Sequence, residues 1–167
     1  MIPIIGNHDR WVCEDLKRYL SGSGTRLYDY NTVDILLNQL PEEELKELIL
    51  WIEGMPKYII TECGNRRFML AHSGSFDNPE DIDENMFTMS EPDFFYLKKG
   101  ISELITVIGH NPVNYIRFIM GEERENKNTI WVNKKRNVFC IDCGCGFGDK
   151  ESRLGCLRLN DFEMYYS

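Results

Sequence analysis

The chain has 167 residues, 43% of them hydrophobic, and a formal charge of −8 from 19 Lys and Arg against 27 Asp and Glu. That length can bury a core of its own, and the acidic balance argues against binding a nucleic-acid backbone, which needs a basic surface. No apolar run approaches the roughly 20 residues of a membrane span and no signal-peptide pattern opens the chain, so no membrane association and a cytoplasmic location are expected.

In chain order, Ile2-Pro3-Ile4-Ile5 reads as a short buried strand, running into Gly6-Asn7-His8-Asp9 as a tight turn at a sheet edge. Trp11, Val12, Leu16, Tyr19 and Leu20 recur at helical spacing until Ser21-Gly22-Ser23-Gly24 stops the helix. A second helix is expected over residues 33–40. A third begins with Pro41 as its first residue, carries Glu42, Glu43 and Glu44 near the positive end of its dipole, and faces Leu45, Leu48, Ile49 and Ile52 to one side. Pro56 ends it.

Residues 58–61 and 67–71 then read as two strands joined by the hairpin signal Cys63-Gly64-Asn65-Arg66. An acidic loop around residues 80–84 follows, then a helical or irregular stretch at 93–99 and a strand at 104–108. Beyond a polar loop at 121–128, residues 129–132, 137–141, 156–159 and 163–166 read as successive strands. Helices first and strands after, without a repeat or a linker, predict a single domain over residues 1–167, of α/β or α+β class and built on two sheets.

The three histidines, His8, His72 and His110, each follow an apolar strand-like run in a turn containing Gly or Ser. Strand ends hold functional groups on a rigid scaffold and leave them accessible. Imidazole nitrogen with amide or carboxylate oxygen suits manganese, iron, zinc or a similar ion. Two such cations clamp phosphate oxygens and acidify water, which is the chemistry of phosphoester hydrolysis. Asn7 offers an oxygen ligand without added charge, His8 can protonate a leaving alkoxide, and Asp9 can orient His8 or hold the turn through the backbone.

Gly6-Asn7-His8-Asp9, Ala71-His72-Ser73-Gly74, Gly109-His110-Asn111-Pro112 and the run from Ile141-Asp142 to Gly148 together resemble the ordered motifs of the calcineurin-like metallophosphoesterases. The phosphoprotein phosphatase branch is the nearest match, particularly bacterial serine/threonine phosphatases and related dinucleoside tetraphosphatases. The resemblance implies that Asn7, His72 and His110 ligate one metal, that His8 is the general acid with Asp9 beside it, and that the Asp142 turn is structural. It implies a two-sheet β-sandwich flanked by helices, and divalent metal as cofactor: manganese first, with iron, zinc or nickel as others. The substrate implied is a phosphorylated protein or a small phosphoester, with a dinucleoside polyphosphate as the alternative. It leaves the substrate-binding residues unassigned; neither Arg10 nor Arg117 matches the family's phosphate-holding arginine.

The family's two earlier motifs, which supply the other metal's ligands and the bridging carboxylate, have no counterpart here. They correspond to two strand-and-helix units, about 60 residues at about 30 for each. The expectation is therefore a chain equivalent to the C-terminal portion of such an enzyme, binuclear only when those ligands are supplied. The other expectation is a non-catalytic binding or regulatory module of the same descent, with unpaired sheet edges that favour a homo-oligomer.

Remaining signals have plainer readings. Six cysteines, at 13, 63, 140, 143, 145 and 156, are read as reduced thiols. Cys140, Cys143 and Cys145 could form half of a thiolate zinc site, but small thiols packed around a glycine-rich turn fit better. Trp11 is expected to pack on the first turn of its helix. Gly144, Gly146 and Gly148 are expected to make a turn between strands, lacking the context of a dinucleotide fingerprint.

Overall fold

Helix α1 spans Asn7–Leu20, placing Val12, Cys13 and Leu16 on its buried face; Asp9 lies in its first turn and Lys17 and Arg18 in its last. Those charges complement the helix dipole at each end. The computed structural model describes residues 2–28, 31–74, 88–89, 94–122, 128–148 and 150–167. The acidic loop at 80–84 and most of the polar loop at 121–128 lie outside them. Two units are distinguished, Met1–Pro56 and Lys57–Ser167.

The first unit is helical. Helix α2 is Asn31–Gln39 and α3 is Glu42–Glu53, with Leu45, Ile49 and Ile52 buried. These residues close around Ile5, Val12, Leu16, Val33 and Met55, with Leu48 packed at the margin. Buried Asp15, 3% exposed, accepts hydrogen bonds from the backbone N–H of Leu27 at 2.8 Å and of Tyr28 at 3.2 Å. Its charge is thereby compensated by donors, as burial demands. Two expectations are corrected. Residues 2–5 are not a strand: the segment pairs with no sheet among the described residues, and Ile5 N–H instead donates to the Pro56 carbonyl at 3.1 Å. Pro41 is the cap before α3, with φ −67° and ψ 160°, so the helix starts one residue later.

The second unit contains a mixed five-stranded sheet in the order β1-β2-β3-β5-β4 and a separate pair β6-β7. Strands β1 (Tyr58–Cys63) and β2 (Arg66–Ala71) form the expected hairpin, with Cys63 facing Arg66 across Gly64 and Asn65. Gly64 has φ 63°, the conformation that a two-residue hairpin turn asks of its first residue. Helix α4 (Phe94–Lys99) leads to β3 (Ile105–Ile108), which is parallel to β2 on one side and to β5 (Val138–Cys140) on the other. Strand β4 (Trp131–Val132) lies antiparallel to β5, and β6 (Gly155–Leu157) pairs with β7 (Met164–Tyr166).

Between β3 and β4 lies a helix that the sequence reading passed over, α5 (Val113–Ile119), which buries Val113 and Ile116. Phe68, Met69, Leu97, Val138, Phe139 and Cys140 form the centre of this unit's core, each fully buried. The Phe162 ring, just before β7, stacks on Phe139 at 5.1 Å and 9°. Two buried polar side chains are paired: Tyr96 Oη donates to Thr106 Oγ1 at 2.8 Å, and Asn133 Nδ2 to the Leu97 carbonyl at 3.1 Å. Among the described residues no helix is long and apolar enough to cross a membrane.

Candidate functional site

In the second unit the parallel strands β2, β3 and β5 end side by side at Ala71, Ile108 and Cys140. Hydrogen bonding continues one residue past the ladder, from Gly109 N–H to the His72 carbonyl at 2.9 Å and from Ile141 N–H to the Ile108 carbonyl at 2.8 Å. His72 and His110 therefore emerge from adjacent strands at one edge, and their rings lie 5.2 Å apart, tilted by 58°. The carboxyl edge of parallel strands is where open α/β sheets place ligands.

The backbone around His110 is unusual. It has φ 64°, the left-handed region that non-glycine residues adopt at some cost and that is found where a side chain must be aimed. Two bonds hold the loop there: Asn111 N–H to the Gly109 carbonyl at 2.7 Å, and Val113 N–H, at the start of α5, to the Asp142 carbonyl at 2.9 Å. Asp142 in turn accepts the Gly144 N–H on Oδ1 at 3.0 Å. The carboxylate thus fixes its own turn, and that turn fixes the loop carrying His110. Beside this edge a cavity of about 430 Å³ is lined by Pro112, Asn114, Tyr115, Phe118, Asn128, Gly144 and Phe147.

Two of the nearby thiols, Cys140 and Cys143, are buried. Burial pushes the Cys143 thiol up to about 11 and raises that of fully buried Cys140 as well. Residues Cys145–Phe147 form a single 3₁₀ turn between Gly144 at φ 78° and Gly148 at φ 63°. A turn between strands was the expected role of these glycines.

In the first unit, Asn7, His8 and Asp9 occupy the first turn of α1 instead of a loop at a sheet edge, which corrects their expected setting. The reason is local: Asp9 is the third residue of the helix, and its Oδ2 accepts the N–H of Gly6 at 2.8 Å. A carboxylate that reaches back to the N-cap N–H in this way helps start a helix where the strand pattern alone suggests a turn. Of the roles foreseen for Asp9, holding the backbone is the one with a hydrogen bond behind it. Asn7 is buried at 5% exposure, while His8 is exposed with its ring 4.8 Å from Trp11. Trp11 stacks on Tyr28 at 5.1 Å, as expected of an aromatic on a first helical turn.

The histidine pair fits a metal in one respect and is incomplete in another. A nitrogen ligand at about 2.1 Å puts its ring centre about 3.2 Å from the ion, so two rings at a near-tetrahedral angle are centred about 5.2 Å apart. The observed separation is 5.2 Å. However, no group of three or more His, Cys, Asp or Glu gathers at a potential metal site among the described residues, so two imidazoles need further donors. What sequence reasoning missed here is α5 and its tie to Asp142; Val113, Ile116 and Met120 after Pro112 carry the helical spacing that could have found it. No protein-family profile matches the chain, and no curated protein matches it.

Proposed function

We propose that the His72 and His110 pair is the metal-holding part of a phosphoester-hydrolysing site, of the kind found in phosphoprotein phosphatases, and that the two sheets correspond to that family's sandwich. The observation that supports this reading is the placement of two imidazoles, 5.2 Å apart, at the carboxyl ends of adjacent parallel strands. A divalent cation there, manganese in the first instance, supplies Lewis acidity that draws charge from phosphate oxygens.

His72 and His110 hold the ion through ring nitrogen, and the Asp142 turn keeps His110 in position. The sequence motif gives Asn7 the part of a neutral oxygen donor and His8 that of proton donor to the leaving oxygen; both parts rest on the motif alone. The substrate class is a phosphomonoester.

Equilibrium dialysis with manganese and elemental analysis test the metal, and turnover of p-nitrophenyl phosphate tests the chemistry. His72→Ala and His110→Ala should each reduce bound manganese at least tenfold. His8→Ala should keep the metal and lose turnover by about 10² or more, as expected on removing a general acid. A wild-type chain that binds no manganese, or histidine variants that bind it as well as wild type, would reject the reading.

A further inference from the structure

The opposite edge of the same sheet, where β2, β3 and β5 begin, is basic in an otherwise acidic protein. At about 3.3 Å per residue it stands about 20 Å from the histidine edge along β2. Arg66 and Arg67 open β2, and Lys134, Lys135 and Arg136 lie on the β4-β5 turn. Lys99 at the end of α4 is held to this edge, its carbonyl accepting Asn137 Nδ2 at 3.0 Å. All six of these side chains are exposed.

Several contacts make this one surface. The guanidinium carbon of Arg66 lies 4.6 Å and that of Arg136 5.9 Å from the centre of the same Phe162 ring. Arg66 Nη1 also donates to the Asn160 carbonyl at 3.0 Å. The carboxylates alongside are engaged: Glu62 is 4.0 Å from Arg67, and Asp161 and Glu163 are held by Arg158. Among the described residues, Glu103 stands two positions before β3 and is exposed. Among the described residues, Lys99, Lys134, Lys135 and Arg136 have no ion pair.

We propose that this edge is a docking surface for a short acidic peptide segment of a partner protein. Guanidinium groups matched to carboxylates form strong paired hydrogen bonds. Arg66, pinned over the Phe162 ring, loses little further freedom on pairing. The surface runs from the start of β2 to the β4-β5 turn, up to three strand spacings or about 14 Å, the reach of about four extended residues.

A short occupant is favoured because the whole chain carries −8. A long nucleic acid or a lipid surface would bring its own negative charge within a Debye length, about 10 Å, of the acidic remainder. Single-stranded nucleic acid also needs open aromatic faces for its bases, and Phe162 is stacked on Phe139 and covered by Arg66.

The test is fluorescence anisotropy of the full chain with a labelled hexaglutamate peptide, alongside hexaglutamine, an oligothymidylate and phosphatidylserine-containing vesicles. Hexaglutamate should bind preferentially, and weaken about tenfold between about 50 and about 200 mM NaCl. Lys134→Glu/Lys135→Glu/Arg136→Glu should weaken it at least tenfold. Lys134→Ser/Lys135→Ser, which leaves the Arg136 ring contact in place, should weaken it several-fold, and Lys46→Glu in the other unit should not change it. Four results would each overturn the proposal: no hexaglutamate binding, equal binding of hexaglutamine, retention of affinity in both variants with native circular dichroism, or tighter binding of the oligonucleotide or vesicles. Salt-sensitive dimerisation that is lost in Lys134→Glu/Lys135→Glu/Arg136→Glu and that blocks the peptide would overturn it by making a second copy the occupant.

Discussion

The two units bury apolar surface by different means. In the helical unit, three short helices meet along narrow stripes, and Leu50 and Trp51 of α3 stay 68% and 57% exposed. In the sheet unit, β2 lies between β1 and β3 and β5 between β3 and β4, and their residues Phe68, Met69, Val138 and Phe139 are fully buried. A helix offers one stripe to a core, whereas a central strand can give every residue to it. Precise placement of side chains is therefore better supported at the ends of β2 and β3 than on the first turn of α1.

The largest test of that contrast compares Phe139→Ala with Leu16→Ala. Phe139 carries the stack with Phe162, and its loss should cost about 3–5 kcal/mol, against about 2–5 kcal/mol for Leu16. Trp131 reports on the sheet unit, and Trp11 and Trp51 on the helical one. Urea unfolding in Trp→Phe backgrounds reads them separately. Phe139→Ala should move the Trp131 transition most, and equal movement of all signals by either variant would erase the contrast.

A smaller effect sets Asp9 beside Asp142, one carboxylate from each unit holding a backbone N–H. Replacing either by Ala should cost about 1 kcal/mol, the usual worth of such a cap. Only Asp142→Ala should also shift the His110 ring resonances, because Asp142 shapes the turn bonded to that loop. Unchanged His110 resonances in Asp142→Ala would show that the turn does not position the ring.

The smallest effect is electrostatic. Hydrogen bonds from Arg158 hold the Asp161 carboxyl down at about 2, below its ordinary value of 3.8. Stability from this pair is present above the ordinary value and is lost as pH falls through about 2. Both groups are exposed, so the change should be slight. Asp161→Asn should lower the urea midpoint a little at pH 5 and leave it unchanged near pH 2; a difference that persists at low pH would contradict the linkage.

Local signals in the sequence were legible where they were short-range. The Gly64-Asn65 hairpin, the three helices of the first unit, the later strands and the glycine turn at 144–148 each depend on a few neighbouring residues. Two of the three histidines also stand at strand ends as expected. His8 does not, because a strand-like apolar run and a helix cap overlap at residues 2–9, and the Asp9 bond to Gly6 decides in favour of the helix. The parallel neighbours of β3, the approach of His72 to His110, and the left-handed turn at His110 depend on residues about 30 or more positions apart, which no local pattern encodes.

That separation has a consequence for how the protein is made. Strand β3 sits between β2 and β5, pairing Met69 with Thr106 and Thr106 with Val138. Closing such long loops is what slows folding. On a ribosome, the helical unit has all its contacts available once residue 56 has emerged, whereas the sheet waits for Cys140. Until then the inner edge of β3 stands open, and this interval of synthesis is when the chain is most exposed to pairing with another copy of itself.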